Sequence, residues 1–374
     1  MKHLASASCP GKLILSGEHA AVYGKKAVAI TVDLQTKISI YENSKENDAV
    51  QLHLGNLNFS KSWPMNMLKE LMNPKISYVE DFIFNENFFQ RIDAIKKELE
   101  NEHCNISNSC YVFLLLYLAI TDLSEFKSIT VNVTSNMPNG AGLGSSSSYI
   151  VSLAKALFDA FKITIDQEIL NRWCFEMDKL FHGKPSGIDN SICTYGGALL
   201  FEGGKIIEQV KHESIPNFKV ILVNTGIQRN TKAMIERCRK RFDLYPELSE
   251  QVMITIGMIS KQIWQSLKQK DNADLSDCIK LNQNLLEYLD VGHPKISEII
   301  EIAKRNGFVA KLTGAGGGGI VMIYLDCKNP STIEHQNNQE REFSLIDELL
   351  SKKFEIYRVT LGVKGVTAIE NETI

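Results

Sequence analysis

The run from Pro138 to Ser148, Pro-Asn-Gly-Ala-Gly-Leu-Gly-Ser-Ser-Ser-Ser, has the composition of a phosphate cradle. Gly140, Gly142 and Gly144 permit positive φ and leave no Cβ between backbone N–H groups and an incoming anion. Serines occupy 145 to 148, and the apolar residues Tyr149, Ile150, Val151, Leu153, Ala154, Ala156, Leu157 and Phe158 then predict a buried helix opening at the loop. A helix N-terminus offers N–H donors and the positive end of a dipole, both suited to a polyphosphate. Hydroxyls in the first turn suit a metal bound to that phosphate. The loop is not the Walker form, which needs a lysine directly after its last glycine. Nor is it the dinucleotide fingerprint, whose acidic residue stands about 20 positions on; Asp159 is too close and falls in the helix. Taken alone, the same residues also fit a glycine-rich turn with a serine cap.

Other chemistry-bearing groups sit at segment ends. Pro10-Gly11-Lys12 and Gly17-Glu18-His19 read as charged groups held in turns between short apolar strands. His182 to Asn190 is a turn-rich motif containing Ser186-Gly187-Ile188-Asp189-Asn190, in which Asp189 fits either an Asx turn or a reactive carboxylate. Gly314-Ala315-Gly316-Gly317-Gly318-Gly319 lies between two apolar strands and marks a backbone that something approaches closely.

The elements that must position these groups follow from periodicity. Helical spacing is read over 87–102, 110–120, 169–181 (which carries Asp178), 233–290 with a break at Pro246, and 294–305. Strands are read over 128–134, 195–201, 220–225, 308–313 and 320–325, with short strands closing the chain over 354–369. The helical run after 233 suggests a helical second lobe, and the polar stretch 330–342 reads as a loop. A length of 374 residues suggests two lobes. We divide them at 220, as 1–220 and 221–374. A net charge of -3 argues against nucleic acid or an anionic membrane as main partner. No apolar run is long enough for a bilayer. Eight cysteines without metal spacing read as free thiols of a reducing compartment, which points to the cytoplasm.

Taken together, the chain resembles the GHMP kinases, the superfamily of sugar, homoserine, mevalonate and phosphomevalonate kinases. The likeness runs over nearly the whole length. It rests on Pro10-Gly11-Lys12 with Gly17-Glu18-His19-Ala20-Ala21-Val22-Tyr23-Gly24, on Asn139 to Ser146, and on Lys311 to Gly319. His182-Gly183-x-Pro185-Ser186-Gly187-Ile188-Asp189 and Arg229-Asn230-Thr231 narrow it to the mevalonate branch. The resemblance implies an α+β, two-lobed fold with a left-handed βαβ element in the first lobe and a ferredoxin-like second lobe. It implies ATP and Mg²⁺ as cofactors, with ATP phosphates wrapped by Asn139, Gly140, Ala141, Gly142, Leu143, Gly144, Ser145 and Ser146. Asp189 would act as base toward the acceptor hydroxyl and Lys12 would lie beside it and the transferring phosphate; Glu18, His19 and Thr231 would bind mevalonate. Ser146 and Asp178 would hold the metal, although the family usually has glutamate where this chain has Asp178. Related kinases are often homodimers, but no residue here assigns that to this chain.

Overall fold

The computed structural model describes residues 1–44, 46–71, 104–121, 126–138, 140–183, 185–216, 218–271, 273–325 and 332–370. The chain opens with two long strands, β1 (Lys2–Ser16) and β2 (Ala27–Glu42). Then come β3 (Ala49–Leu54), β4 (Phe59–Pro64), α1 (Met65–Leu71), α2 (Cys104–Thr121) and β5 (Ile129–Ser135). Helices α3 (Ser145–Ala160), α4 (Gln167–His182) and α5 (Ile188–Tyr195) lead to the hairpin β6 (Ala198–Glu202) and β7 (Lys205–Val210). The remainder comprises β8 (Lys219–Asn224), α6 (Thr231–Leu244), α7 (Pro246–Gln269), α8 (Leu275–Tyr288), α9 (Pro294–Arg305), β9 (Val309–Leu312), β10 (Ile320–Tyr324), α10 (Thr332–Ser351), β11 (Glu355–Thr360) and β12 (Thr367–Ala368).

Two sheets result. The larger runs β12-β1-β2-β5-β3-β4, with β6 and β7 attached to the near end of β2; β3 and β5 are its parallel pair. The smaller runs β11-β8-β10-β9, all antiparallel. Strand β8 is buried on both faces, which is why it reads as an unbroken apolar run. Its Val220 and Leu222 face a core shared with Leu13, Val28 and Ile30 of the larger sheet, while Ile221 and Val223 face α9 and α10. The two sheets therefore share apolar packing, which is the largest favourable term in such folds. A further core lies between the larger sheet and α2 to α4, where Phe113, Tyr117 and Phe158 are fully enclosed.

Most predicted elements form, and the differences have physical causes. Pro10-Gly11-Lys12 is not a turn: it lies inside β1, where irregular registers after Pro10 and after Ile14 bracket Lys12. Proline lacks the N–H for regular pairing, and the strand absorbs this as a bulge instead of ending. Residues 188–195 form helix α5 where sequence suggested a turn running into a strand, because Gly187 at φ 77° starts a new helix. The 330–342 stretch is helical from Thr332; farther along α10, Leu345 and Leu349 are buried while Glu340, Arg341, Ser344 and Asp347 are exposed, the pattern of a helix with one buried face. The second lobe is not simply helical, for its helices cover the four-stranded sheet. The helix expected over 87–102 lies outside the described residues. Among the described residues, no helix is long and apolar enough to cross a membrane.

The chain's last segment returns to the larger sheet. Gly197 N–H donates to the Val363 carbonyl, Val366 N–H to that of Cys193 and Ile369 N–H to that of Ser6. A Cβ on Gly365 would lie 2.3 Å from the Thr194 oxygen at the end of α5. Gly365→Ala is therefore expected to destabilise the protein by roughly 1–3 kcal/mol, read as a lower urea midpoint; an unchanged midpoint would show that the segment has room to shift.

Candidate active site

Strand β1 carries Lys12 across the loop that the glycines form. Lys12 N–H donates to the Leu143 carbonyl at 2.8 Å. The approach is close enough that a Cβ on Gly11 would sit 2.9 Å from the Leu143 oxygen. Gly140, Gly142 and Gly144 all have positive φ (66°, 92° and 74°), as their spacing suggested. Gly144 then caps α3 without any side-chain acceptor, so the first-turn amides of that helix point out of its end. The lysine stem crosses Gly144, where a Cβ would meet Lys12 Cγ at 2.8 Å. Asn139 lies outside the described residues.

Beyond Gly144 the Lys12 ammonium reaches Asp189 in the first turn of α5, with Nζ 3.0 Å from Oδ1. The side chain of Lys12 is nearly enclosed, whereas that of Asp189 keeps 32% exposure, open enough for a substrate to reach it. Asp178, on α4, is buried and accepts from Ser147 Oγ at 3.3 Å. Burial first, and the charge of Asp189 second, push its carboxyl up to about 7. Ser146, the serine expected beside it, is in the same first turn of α3.

A cavity of about 230 Å³ opens on the other side of Lys12. Lys12, Glu18, His19, Asp189 and Thr231 all line it, together with Gly314. Thus residues drawn from four separate motifs converge. His19 adopts φ 62°, a left-handed conformation that a residue with a side chain seldom takes. Its Nε2 donates to the Ala315 carbonyl at 2.9 Å, and burial pushes its pKa down. Thr231 begins α6, whose N-cap Asn230 accepts from Ala233 N–H.

Two cations had no role assigned from sequence. Lys311, in the middle of β9, is wholly buried and donates to Glu18 and to the Leu312 carbonyl; Glu18 Oε2 has no hydrogen-bond partner. A lysine flanked by Ala310 and Leu312 was the available signal, since a charge is rarely enclosed without a partner. Arg229 fills the gap between the two glycine loops. A Cβ on Gly142 would fall 2.0 Å from its Cζ, one on Gly314 2.5 Å from its Nη1 and one on Gly319 2.4 Å from its Cδ. Burial lowers the pKa of the Arg229 guanidinium while the charge of Asp189 opposes that shift. The glycines at 316 to 318 instead admit this chain's own backbone and side chains: Cβ atoms there would strike Val291, Met234 and Ile227.

A glycine loop at a helix start, a lysine and carboxylate in contact beside it, and a cavity for an acceptor define a small-molecule kinase. The profile for the GHMP kinase N-terminal domain matches residues 110–197, and that for the C-terminal domain matches 264–341. The mevalonate kinase of Homo sapiens is 33% identical over 386 residues, covering 96% of this chain and 93% of that protein. The mevalonate kinase of Dictyostelium discoideum is 34% identical over 401 residues, covering 98% and 96%. Among solved structures, that of the Methanococcus jannaschii mevalonate kinase superposes with a TM-score of 0.74 at 25% identity, covering 95% of this chain and 98% of that one. The chain belongs to the GHMP kinase family. Within it, the relatives named here are mevalonate kinases.

The enclosed Lys311–Glu18 pair supplies a test of how the cavity wall is held. Lys311→Met leaves Glu18 buried and unpaired, which is expected to cost roughly 3–5 kcal/mol. Adding Glu18→Gln should recover most of that loss. A double-mutant cycle by denaturant unfolding that finds the two changes additive would show that the pair does not act as a unit.

Proposed function

We propose that this chain transfers the γ-phosphoryl group of ATP to the 5-hydroxyl of (R)-mevalonate. The observation that carries the reading is the 3.0 Å contact between Lys12 and Asp189, placed between the glycine loop and the cavity. Phosphoryl transfer is mostly positioning and charge neutralisation, and these residues divide that work. Asp189 takes the proton of the attacking hydroxyl, whose oxygen then bonds to phosphorus as the bond to the ADP oxygen breaks. Lys12 stabilises negative charge on that oxygen. The loop over 140–146 holds the phosphates by backbone N–H groups and the helix dipole, and Arg229 adds its charge beside the loop. Glu18, His19 and Thr231 shape the acceptor cavity. The cytoplasmic reading is supported by the cysteines, of which six among the described residues are free thiols.

Mg²⁺ fits the oxygen donors present. Asp178 is a buried carboxylate whose charge is disfavoured by its surroundings, and a second cation would relieve that. Asp178 with Ser146 would hold the ion, and Ser147, which bonds to the carboxylate, would orient it. Bound there, Mg²⁺ neutralises phosphate charge.

A phosphorylated acceptor would want a cluster of Lys and Arg along the cavity. Arg237, Arg239, Lys240 and Arg241 do not line it. Lys240 pairs with Glu236, and Arg241 donates to the Tyr288 carbonyl. This favours mevalonate over phosphomevalonate.

Measured as ADP release with Mg·ATP, turnover is expected on mevalonate and not on phosphomevalonate, galactose or homoserine. Asp189→Asn should reduce kcat by at least about 100-fold, and turnover on another acceptor would overturn the substrate assignment. Asp178 gives a second outcome. Its folded pKa of about 7 lies above the unfolded value, so its ionisation costs stability increasingly as pH rises from about 4 to 7 and by a constant amount above that. The metal-free Asp178→Asn protein should therefore exceed the unaltered protein in stability at pH 8 by up to roughly 4 kcal/mol, at about 1.4 kcal/mol per pKa unit, and match it near pH 4. Equal stability at both pH values would show that this carboxylate is not strained by burial.

A further inference from the structure

We infer that Lys25 binds the carboxylate of the acceptor and so makes the cavity selective for a hydroxy acid over a neutral polyol; this rests on the reading of the site given above. The acceptor carries its anion at the end of the carbon chain opposite the hydroxyl that reacts. Beyond its charged groups the cavity is walled by apolar side chains, among them Ile14, Val22, Ile188, Phe201 and Ile235. A carboxylate enclosed there without a cation or hydrogen-bond donors would be costly.

The cations around the cavity, among the described residues, are few and mostly engaged. Lys12 is committed to Asp189 and the transfer. Lys311 is wholly enclosed with Glu18, and Arg229 is packed between the two glycine loops; neither is part of the cavity lining. His19 spends its Nε2–H on the Ala315 carbonyl. Lys25 remains. It lines the cavity, keeps 27% side-chain exposure, and pairs with Glu250 of α7 at 2.6 Å, a partner that is itself 41% exposed. Pairs this open to water contribute little to stability, so exchanging Glu250 for a substrate carboxylate costs little.

The backbone fixes where Lys25 starts. It follows Gly24 at φ 73°, and its N–H donates to the Ala20 carbonyl at 3.1 Å. Its stem passes Gly257 of α7, where a Cβ would come within 3.2 Å of Lys25 Cβ. The next residue, Lys26, pairs instead with Glu202 and is not part of the cavity lining. Two adjacent lysines are thus sorted, and only the first meets the acceptor.

Steady-state kinetics with Mg·ATP, comparing (R)-mevalonate with its neutral reduction product 3-methylpentane-1,3,5-triol, test the assignment. Lys25→Met is expected to raise the KM for mevalonate roughly 10–100-fold, the loss typical of one charge-assisted contact. The kcat, the KM for ATP and the KM for the triol should stay within about twofold, and Lys25→Arg should restore most of the mevalonate affinity. Glu250→Gln keeps Lys25 in place, so it reports even if the methionine variant folds poorly; it should lower the KM for mevalonate by removing the competing carboxylate. An unmoved mevalonate KM in both Lys25→Met and Glu250→Gln, or an equal rise for acid and triol, would overturn the role of Lys25 alone. No turnover of mevalonate by the unaltered protein would overturn the reading of the site as well.

Discussion

The contact between Lys12 and Asp189 is the constraint to which the rest of the site answers. An ammonium on a strand inside the larger sheet must meet a carboxylate on a short helix, next to the glycine loop over 140–144. A straight strand pairing regularly on both sides would leave little freedom to aim that side chain. The irregular registers on either side of Lys12 supply it, and the hydrogen bond from Lys12 N–H to Leu143 hangs the glycine loop from the same residue. The strand therefore sets loop and ammonium together.

Glycine serves two different ends in this molecule. At 140, 142 and 144 it produces the backbone path of the loop and clears room for Lys12 and Arg229. At 316 to 318 it lets two parts of the second lobe close on each other, with hydrogen bonds from Gly317 to Val291 and from Gly319 to Ile227 fixing the result. Arg229 lies where the two loops face each other. Its guanidinium is packed closely against both loops, and its Nε has no hydrogen-bond partner among the described residues.

Much of this was legible in the residues themselves. The glycine loop, the helix after it and the strands around β8 and β10 follow from local pattern, because those segments are governed by their own periodicity and turn chemistry. Lys12 is legible as a chemically placed residue, but Pro10-Gly11 before it reads as a turn, since proline followed by glycine usually ends a strand. The helix that carries Asp189 reads as a turn in the sequence, because glycine, serine and proline before it hide its eight-residue length. The partnership of Lys311 with Glu18 joins residues 293 positions apart and leaves no local trace beyond a charge in an apolar strand. Arg229 could be quoted as part of a motif, but its lodging between two loops depends on how the sheets meet.

The return of the C-terminal segment bears on the order in which the enzyme can be made. Strand β12 and the residues before it complete the sheet begun by β1 and press against the end of the helix that bears Asp189. On a ribosome the first lobe emerges long before those residues exist. Its nascent form must wait with that edge of β1 unpaired and that helix unsupported until residues 363–369 have been made. The sheet that carries Lys12 is therefore closed only once residues 363–369 have been made, and a chain cut before them lacks that strand and the support it gives to the end of α5.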